Sequence, residues 1–308
     1  MAGNFVNSYG DTSVREDVVL NAIEILTAQE TQVTNMLGRG TAIATVHSYL
    51  TDTLRTPASA AVSEEGDFAA TGQTTPSRKT NTVQITAVPL KVSRTQQQIQ
   101  HYHGQNELER QTRKALLDVG NAFEFDHVRS TLVSGVSGTV PKMEGVIAHI
   151  SKSTNTTAHT SGTVFNATIL DGLLKNQWSN SNGDTATDLI VSAGIKRTLD
   201  DSVQKSNTVI NAPNGQTEIV KMTSVYTTSF GRLAVHAHRY VFVSGTDATD
   251  RVLGINRNKG AVAWLKMPYI DNDLARSGDY DIKAVVGKGT FECANQDSFF
   301  FANGFLIS

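Results

Sequence analysis

Between Pro57 and Ser77 the chain carries only two large apolar side chains, Val62 and Phe68, among alanine, serine, threonine, glycine and acidic residues. Strand-like composition lies on either side. From Thr41 to Arg55, Ile43, Val46, Tyr49 and Leu50 sit among Thr, His and Ser, which favours a strand with mixed faces. From Thr80 to Lys91, Val83, Ile85 and Ala87 alternate with Gln84 and Thr86. The pattern predicts a long two-stranded arm with a polar tip. Strands of about 15 residues reach on the order of 50 Å at roughly 3.3 Å per residue, whereas an isolated hairpin is marginal in water. The tip is too poor in apolar residues to fold back into a core of its own, so the arm is expected to lie across a neighbouring molecule. Composition alone is equally compatible with a mobile surface loop or lid.

The remainder of the 308 residues has globular composition: 39% are apolar, and 24 glycines bring that class close to the roughly 45–50% of soluble proteins. That length buries a core as one large domain or two intermediate ones. With 27 Lys and Arg against 29 Asp and Glu, there is no positive excess to drive phosphate binding, and avid nucleic-acid binding is not expected. The single cysteine, Cys293, excludes an internal disulfide and suits a reducing cytoplasm. No uninterrupted apolar window of membrane-spanning length occurs, and the first residues show no basic-then-apolar leader, so neither secretion nor a membrane span is expected.

Val14 to Leu37 has roughly helical apolar spacing and reads as a helical or part-extended arm that Gly38 and Gly40 stop. Gly104 to Ser134 is the longest helical signal, with Leu108, Ala115, Leu116, Val119, Phe123, Val128 and Leu132 on one stripe. Glu107 and Glu109 near its start and Arg129 near its end match the helix dipole. A rod of about 45 Å with one apolar stripe predicts a spine laid across a sheet. Val140 to Ile150 reads as a strand, and Ser151 to Thr163 as a surface excursion or domain crossing. Asn166 is the expected N-cap of a helix through Trp178. A buried strand at Asp188 to Ser192, a helix from about Gly194 to Val203, and strands near Thr217–Val225, Arg232–Val243 and Gly260–Met267 complete a mixed α/β unit. Tyr280 to Leu306 reads as two strands joined by a turn at Asn295 to Asp297.

Motifs that carry chemistry are incomplete. His101 with His103, and His236 with His238, each place two imidazoles on one strand face without a third ligand at a recognisable spacing, so ordinary hydrogen-bonding histidines are expected and no metal. Asp271-Asn272-Asp273 lacks the glycine and distal glutamate of a calcium loop. Gly287-Lys288-Gly289-Thr290 lacks the upstream glycine of a phosphate loop and reads as a kinked strand. No Ser, His and acid set declares itself, and no catalytic residue or cofactor is assigned. Glu64, Glu65 and Asp67 read as a solvated acidic tip that meets a basic patch on a neighbour.

Two segments resemble signatures of phage major head proteins. The first runs through Ala28-Gln29-Glu30-Thr31, Met36 to Ala42 and Thr51-Asp52-Thr53-Leu54-Arg55 into Glu64-Glu65-Gly66. The second is Asp273-Leu274-Ala275-Arg276-Ser277-Gly278-Asp279 followed by Gly289-Thr290-Phe291-Glu292 and Asn295. With the order of elements, they make the chain resemble the tailed-bacteriophage major capsid proteins of Hong Kong 97 type. Thr31-Gln32 departs from the usual Thr-Pro pair. The resemblance implies an α+β fold with an N-terminal arm (1–40), an extended hairpin loop (41–93), a peripheral domain with the spine helix (94–150), an axial domain (151–259) and returning peripheral strands (260–308). It implies inter-subunit contacts through Arg55, Glu64, Glu65, Asp67, Phe68, Arg78 and Lys79, and a spine built on Leu108, Leu116, Val119 and Phe123. Some members of the fold cross-link a loop lysine to a neighbour's asparagine; Lys79 has the position but no matching partner motif, and is expected to be an ordinary exposed lysine.

The implied function is a non-enzymatic subunit that assembles into hexamers and pentamers of an icosahedral head around double-stranded DNA, which it confines without specific binding. The implied partners are further copies of itself, a portal protein, scaffolding and decoration proteins, and no membrane. Two other classes remain open: a carbohydrate- or receptor-binding phage module, and a hydrolase with a mobile lid.

Overall fold

The computed structural model describes residues 31–54, 58, 59, 61, 62, 64, 66, 74–99, 106–136, 138–180, 184–205, 210, 211, 217, 218, 224–244, 247–272 and 274–306. In chain order the elements are α1 (Gln32–Met36), β1 (Gly38–Thr41), β2 (Val46–Thr51), β3 (Ser77–Thr82), β4 (Gln84–Ser93), α2 (Arg94–Gln98) and α3 (Glu107–Arg129). There follow α4 (Val146–Ile150), β5 (Thr156–Thr163), α5 (Ala167–Asn180), β6 (Asp188–Val191), α6 (Ala193–Lys205), β7 (Ile210–Asn211) and β8 (Thr217–Glu218). The chain continues through β9 (Val225–Thr228), β10 (Gly231–Ala237), β11 (Asp250–Ile255), β12 (Gly260–Asp271), β13 (Tyr280–Cys293), a 3-10 turn (Gln296–Ser298) and β14 (Phe300–Phe305).

Two sheets organise the molecule. One has four strands in the order β1-β12-β13-β4, the other six in the order β5-β14-β11-β6-β10-β9, and β2 with β3 forms a separate hairpin. The spine α3 starts where the Asn106 side chain accepts the Leu108 N–H, with Glu107 and Glu109 in its first turn and His127 and Arg129 in its last, as the dipole favours. Ala115, Val119 and Phe123 recur every four residues and pack with Leu90, Val92 and Val285 of β4 and β13. The sheet admits the helix because Gly287 lies under the Phe123 ring, where a Cβ would come within 2.5 Å, and Gly289 under the Trp264 ring, at 2.8 Å. These two glycines do not kink β13 as expected: its ladder with β4 is unbroken from Tyr280 to Gly289, and the bulges lie in β12 between Trp264 and Tyr269.

The six-stranded sheet is covered on both faces. Leu189, Val191, Val252, Phe300 and Ala302 meet α5 and α6 through Leu170, Leu173, Leu174, Ile195 and Leu199. Ile190, Leu253, Ile255 and Phe301 turn the other way, toward Val33, Leu37, Val128, Ile150, Val262 and Phe291, and so join this sheet to the spine and the four-stranded sheet. Asn166 caps α5 as expected, its Oδ1 accepting the Ile169 N–H at 2.9 Å.

Several expectations need correction. The spine spans 23 residues, about 35 Å at 1.5 Å each, and Leu116 is 48% exposed, off the buried stripe. Gly38 and Gly40 do not cap a helix: Leu37 turns extended and both glycines lie in β1, parallel to β12. The run from Val140 to Ile150 is not one strand: Lys142 makes an isolated bridge with Val133, and Val146–Ile150 forms the short helix α4, which buries Val146, His149 and Ile150. Thr156–Thr163 is an edge strand parallel to β14, held by its backbone ladder and not by apolar side chains. The segment expected as one long second hairpin strand divides at buried Val83, with β3 in the hairpin and β4 in the four-stranded sheet. β14, within the stretch assigned to returning peripheral strands, pairs in the six-stranded sheet.

Candidate assembly surface

The hairpin alternates between two faces. Val46 pairs with Thr82, Ser48 with Thr80 and Leu50 with Arg78 on one face; His47 pairs with Asn81 and Tyr49 with Lys79 on the other. The second face grips the body. His47 Nε2 lies 3.0 Å from Glu292 Oε2, the Cys293 N–H donates to Tyr49 Oη at 3.3 Å, and Lys79 Nζ donates to Gln296 Oε1 at 3.2 Å. Buried Asn81 donates through Nδ2 to Phe291 O at 2.7 Å and Glu144 O at 3.1 Å, and its Oδ1 accepts the N–H of Glu144 at 2.9 Å. Burial pushes the Tyr49 hydroxyl up to about 12 and the neighbouring His149 down to about 4, so both stay neutral around this latch. Buried Glu144 pairs with Lys152.

On the opposite face Val46 is half exposed and Arg78 donates to Ser48 Oγ. Leu50 is 72% exposed, and beyond the strands Ile43 and Leu54 are 91% and 97% exposed. A row of exposed aliphatic side chains on an arm with a pinned root is the surface pattern of an unfilled protein contact.

The segment after residue 30 is clipped to the body by a buried carboxylate. Glu124 of the spine accepts the N–H groups of Val33 at 2.5 Å and Thr34 at 2.8 Å, and His238 Nε2 lies 2.9 Å away. Burial would raise this carboxyl, but the hydrogen bonds from His238, Thr34 and Val33 bring it below the ordinary carboxylate value. Burial also pushes His127 down to about 4, and its Nδ1 lies 2.9 Å from Thr34 Oγ1. His236, on β10, bridges Gln32 and Asp188 at 3.0 Å each, whereas His238 lies one residue past the end of that strand. These imidazoles are thus used in hydrogen bonds, and no group of three metal-capable side chains occurs among the described residues.

Of the contact residues expected from sequence, Arg55, Glu65, Asp67 and Phe68 lie outside the described residues, as do His101 and His103. Glu64 is exposed in a turn. Arg78 is exposed and donates to Ser48 Oγ at 2.7 Å, whereas Lys79 is half-buried and bonded to Gln296 and not, as expected, freely exposed. Val119 and Phe123 are buried, and Leu108 packs at the edge of their cluster. Sequence reasoning missed Asn81 and Glu124: Asn81 sits in the polar run Ser77 to Thr82 and carries no local signal, and Glu124 is marked only by lying between Phe123 and Phe125.

A spine helix across a sheet, a second sheet between helices, and a latched projecting hairpin together define a shell-building capsid subunit of Hong Kong 97 type. The capsid of a native GTA particle has the same fold, with TM-score 0.67, 11% identity and 98% of each chain covered. The capsid of Myoviridae phage XM1 matches with TM-score 0.65 and 12% identity, over 99% of this chain and 100% of that one. A holo-SrpI encapsulin complex from Synechococcus elongatus matches with TM-score 0.61 and 7% identity, over 98% and 96%. Identities this low carry the fold alone, and no curated protein sequence matches.

The chain belongs to the SU10 major capsid protein family, which matches residues 5–305. It is a head-forming major capsid protein of the virion shell, and the family implies a structural role. Among the described residues no helix is long and apolar enough to cross a membrane.

Proposed function

We propose that the subunit assembles into hexamers and pentamers in which the hairpin arm of each copy lies across the next. The observation that carries this reading is that one face of the hairpin is latched to the body while Val46 and Leu50 on its other face, and Ile43 and Leu54 beyond the strands, stand exposed. A flexible lid needs no such root, and a surface loop gains nothing from exposed leucines. The unit around the six-stranded sheet serves as the axial part and the spine with its sheet as the peripheral part. A heterologous contact repeated by rotation closes into a ring, and rings of two sizes make a curved shell. With a net charge of −2 the shell confines DNA and does not hold it tightly, and no catalytic role is assigned. A portal protein, scaffolding and decoration proteins complete the set of partners.

The test is light scattering and negative-stain electron microscopy of the purified chain beside a variant lacking residues 57–77. Rings, tubes or shells that are lost with the deletion support the proposal. Assembly unaffected by the deletion refutes the role of the arm.

A further inference from the structure

The chain guards the edges of one sheet and leaves those of the other bare. An edge strand offers unpaired N–H and C=O groups, and proteins blunt it with charge, proline, shortness or a covering element. In the four-stranded sheet the edge strand β4 carries exposed Pro89 and Lys91, and β1 at the other edge is four residues long with Arg39 exposed. The six-stranded sheet ends instead in β5, Thr-Thr-Ala-His-Thr-Ser-Gly-Thr, and β9, Val-Tyr-Thr-Thr, with no proline, lysine, arginine or carboxylate in either. Among the described residues no strand pairs with the outer side of β5 or of β9. Threonine, valine and tyrosine favour strands, so both edges are suited to continue a ladder.

The existing ladders fix which backbone groups point outward. The Phe301 N–H donates to Asn155 O and Phe301 lies opposite Thr156, so Asn155, Thr157 and His159 bond inward while Thr156, Ala158 and Thr160 face out. Those three residues are exposed, and Thr157 and His159 between them are half-buried. At the other edge the Val235 N–H donates to Ser224 O, so Ser224, Tyr226 and Thr228 bond inward and Val225 and Thr227 face out. Across the sheet the pairings run parallel, antiparallel, antiparallel, parallel and antiparallel from β5 to β9, so these two edges point in opposite directions. A second copy set beside the first in the same orientation therefore meets it as an antiparallel pair, the more stable kind. We infer that β5 of one copy pairs with β9 of the next, Ala158 opposite Thr227 and Thr160 opposite Val225, exchanging about four backbone hydrogen bonds. The contact is heterologous, and rotation about an axis along the strands preserves their direction and closes the repeat into a ring. This inference rests on the reading that copies form rings and is independent of the hairpin arm.

The test compares the full chain with Ala158→Lys/Thr227→Lys, Ala158→Glu/Thr227→Lys and Ala158→Cys/Thr227→Cys by light scattering and negative-stain electron microscopy. The two lysines repel at every contact and are expected to raise the concentration needed for assembly about tenfold or more, whereas the opposite-charge pair restores it to within about threefold of the parent. Both side chains are exposed, so the thermal midpoint of the unassembled subunit should move by no more than about 2 °C. On oxidation the cysteine pair should give a ladder of linked oligomers, because directly opposed strand positions lie within disulfide reach. Buried Cys293 stays outside this chemistry. Ala158→Cys alone should give no cross-link; linked dimers would show β5 pairing with β5 and overturn the proposal. Assembly of the lysine variant at the parent's concentration overturns it too, as does a loss that the opposite-charge pair fails to restore. Edge variants without effect, beside loss of assembly on deleting 57–77, overturn the edge pairing and leave the arm reading standing. Edge variants that block an assembly surviving that deletion support the pairing and overturn the arm. A parent chain that stays monomeric at every concentration overturns both.

Discussion

Replacing Asn81 by alanine removes the side chain that ties the hairpin root to two separate parts of the body. Three buried backbone groups lose their partner: the N–H and carbonyl of Glu144 and the carbonyl of Phe291. Each buried group left unsatisfied costs about 1–3 kcal/mol, and one water entering the vacated volume recovers part of that, so a net loss of about 3–5 kcal/mol is expected. Urea unfolding of the unassembled subunit, followed by the fluorescence of Trp178 and Trp264, reads this as a lowered midpoint at unchanged slope. Asn81→Asp is the control. It keeps the acceptor for Glu144 N–H but cannot donate to either carbonyl, and should lose nearly as much. Amide exchange should quicken first in Ser77–Thr82, where the root is freed. A loss below about 1 kcal/mol for Asn81→Ala would refute the claim that this amide is the latch.

Acid should weaken the subunit. His127 and His149 ordinarily titrate near 6.5 and are pushed by burial to about 4 when folded. Between those values the unfolded chain binds more protons, so stability is full above about pH 6.5 and falls toward pH 4 by up to about 1.4 kcal/mol per unit for each histidine. Glu124 and Asp188, held low, act in the same direction at lower pH, while Asp126 and Asp250, raised by burial, oppose it. Urea midpoints that rise on acidification would contradict these assignments. Phe123→Ala should cost about 3–5 kcal/mol in thermal or urea unfolding, whereas Leu116→Ser should stay within about 0.5 kcal/mol. Gly287→Ala should cost about 1–3 kcal/mol by lifting the spine, and Phe123→Leu should recover part of it; additive losses in this double-mutant cycle would show that the two positions do not touch.

The sequence reveals most where one face of an element is buried and the other wet. Val119 and Phe123 announce the spine, and Asn166 announces the start of α5, because a stripe or a cap is a local pattern. Leu116 misleads because it has helical spacing from its neighbours yet points off the stripe. β11 was missed because Asp-Arg-Val-Leu-Gly-Ile is buried on both faces and shows no alternation. β5 was missed for the opposite reason, since an edge strand of Thr, Ala, His, Ser and Gly needs no apolar face. The acidic tip and the polar arm were legible as composition. Their anchors were not: Asn81, Glu144 and Phe291 are far apart in the chain, and only the fold brings them within hydrogen-bonding distance.

A cryo-electron-microscopy reconstruction of the assembled particle tests the bridging arm most directly. The account predicts hexamers and pentamers in which each hairpin keeps its Asn81 root on its own subunit and crosses to the next, with the apolar row of Leu50 and Leu54 covered there. A shell in which every hairpin lies back along its own subunit, leaving those leucines in solvent, would contradict it.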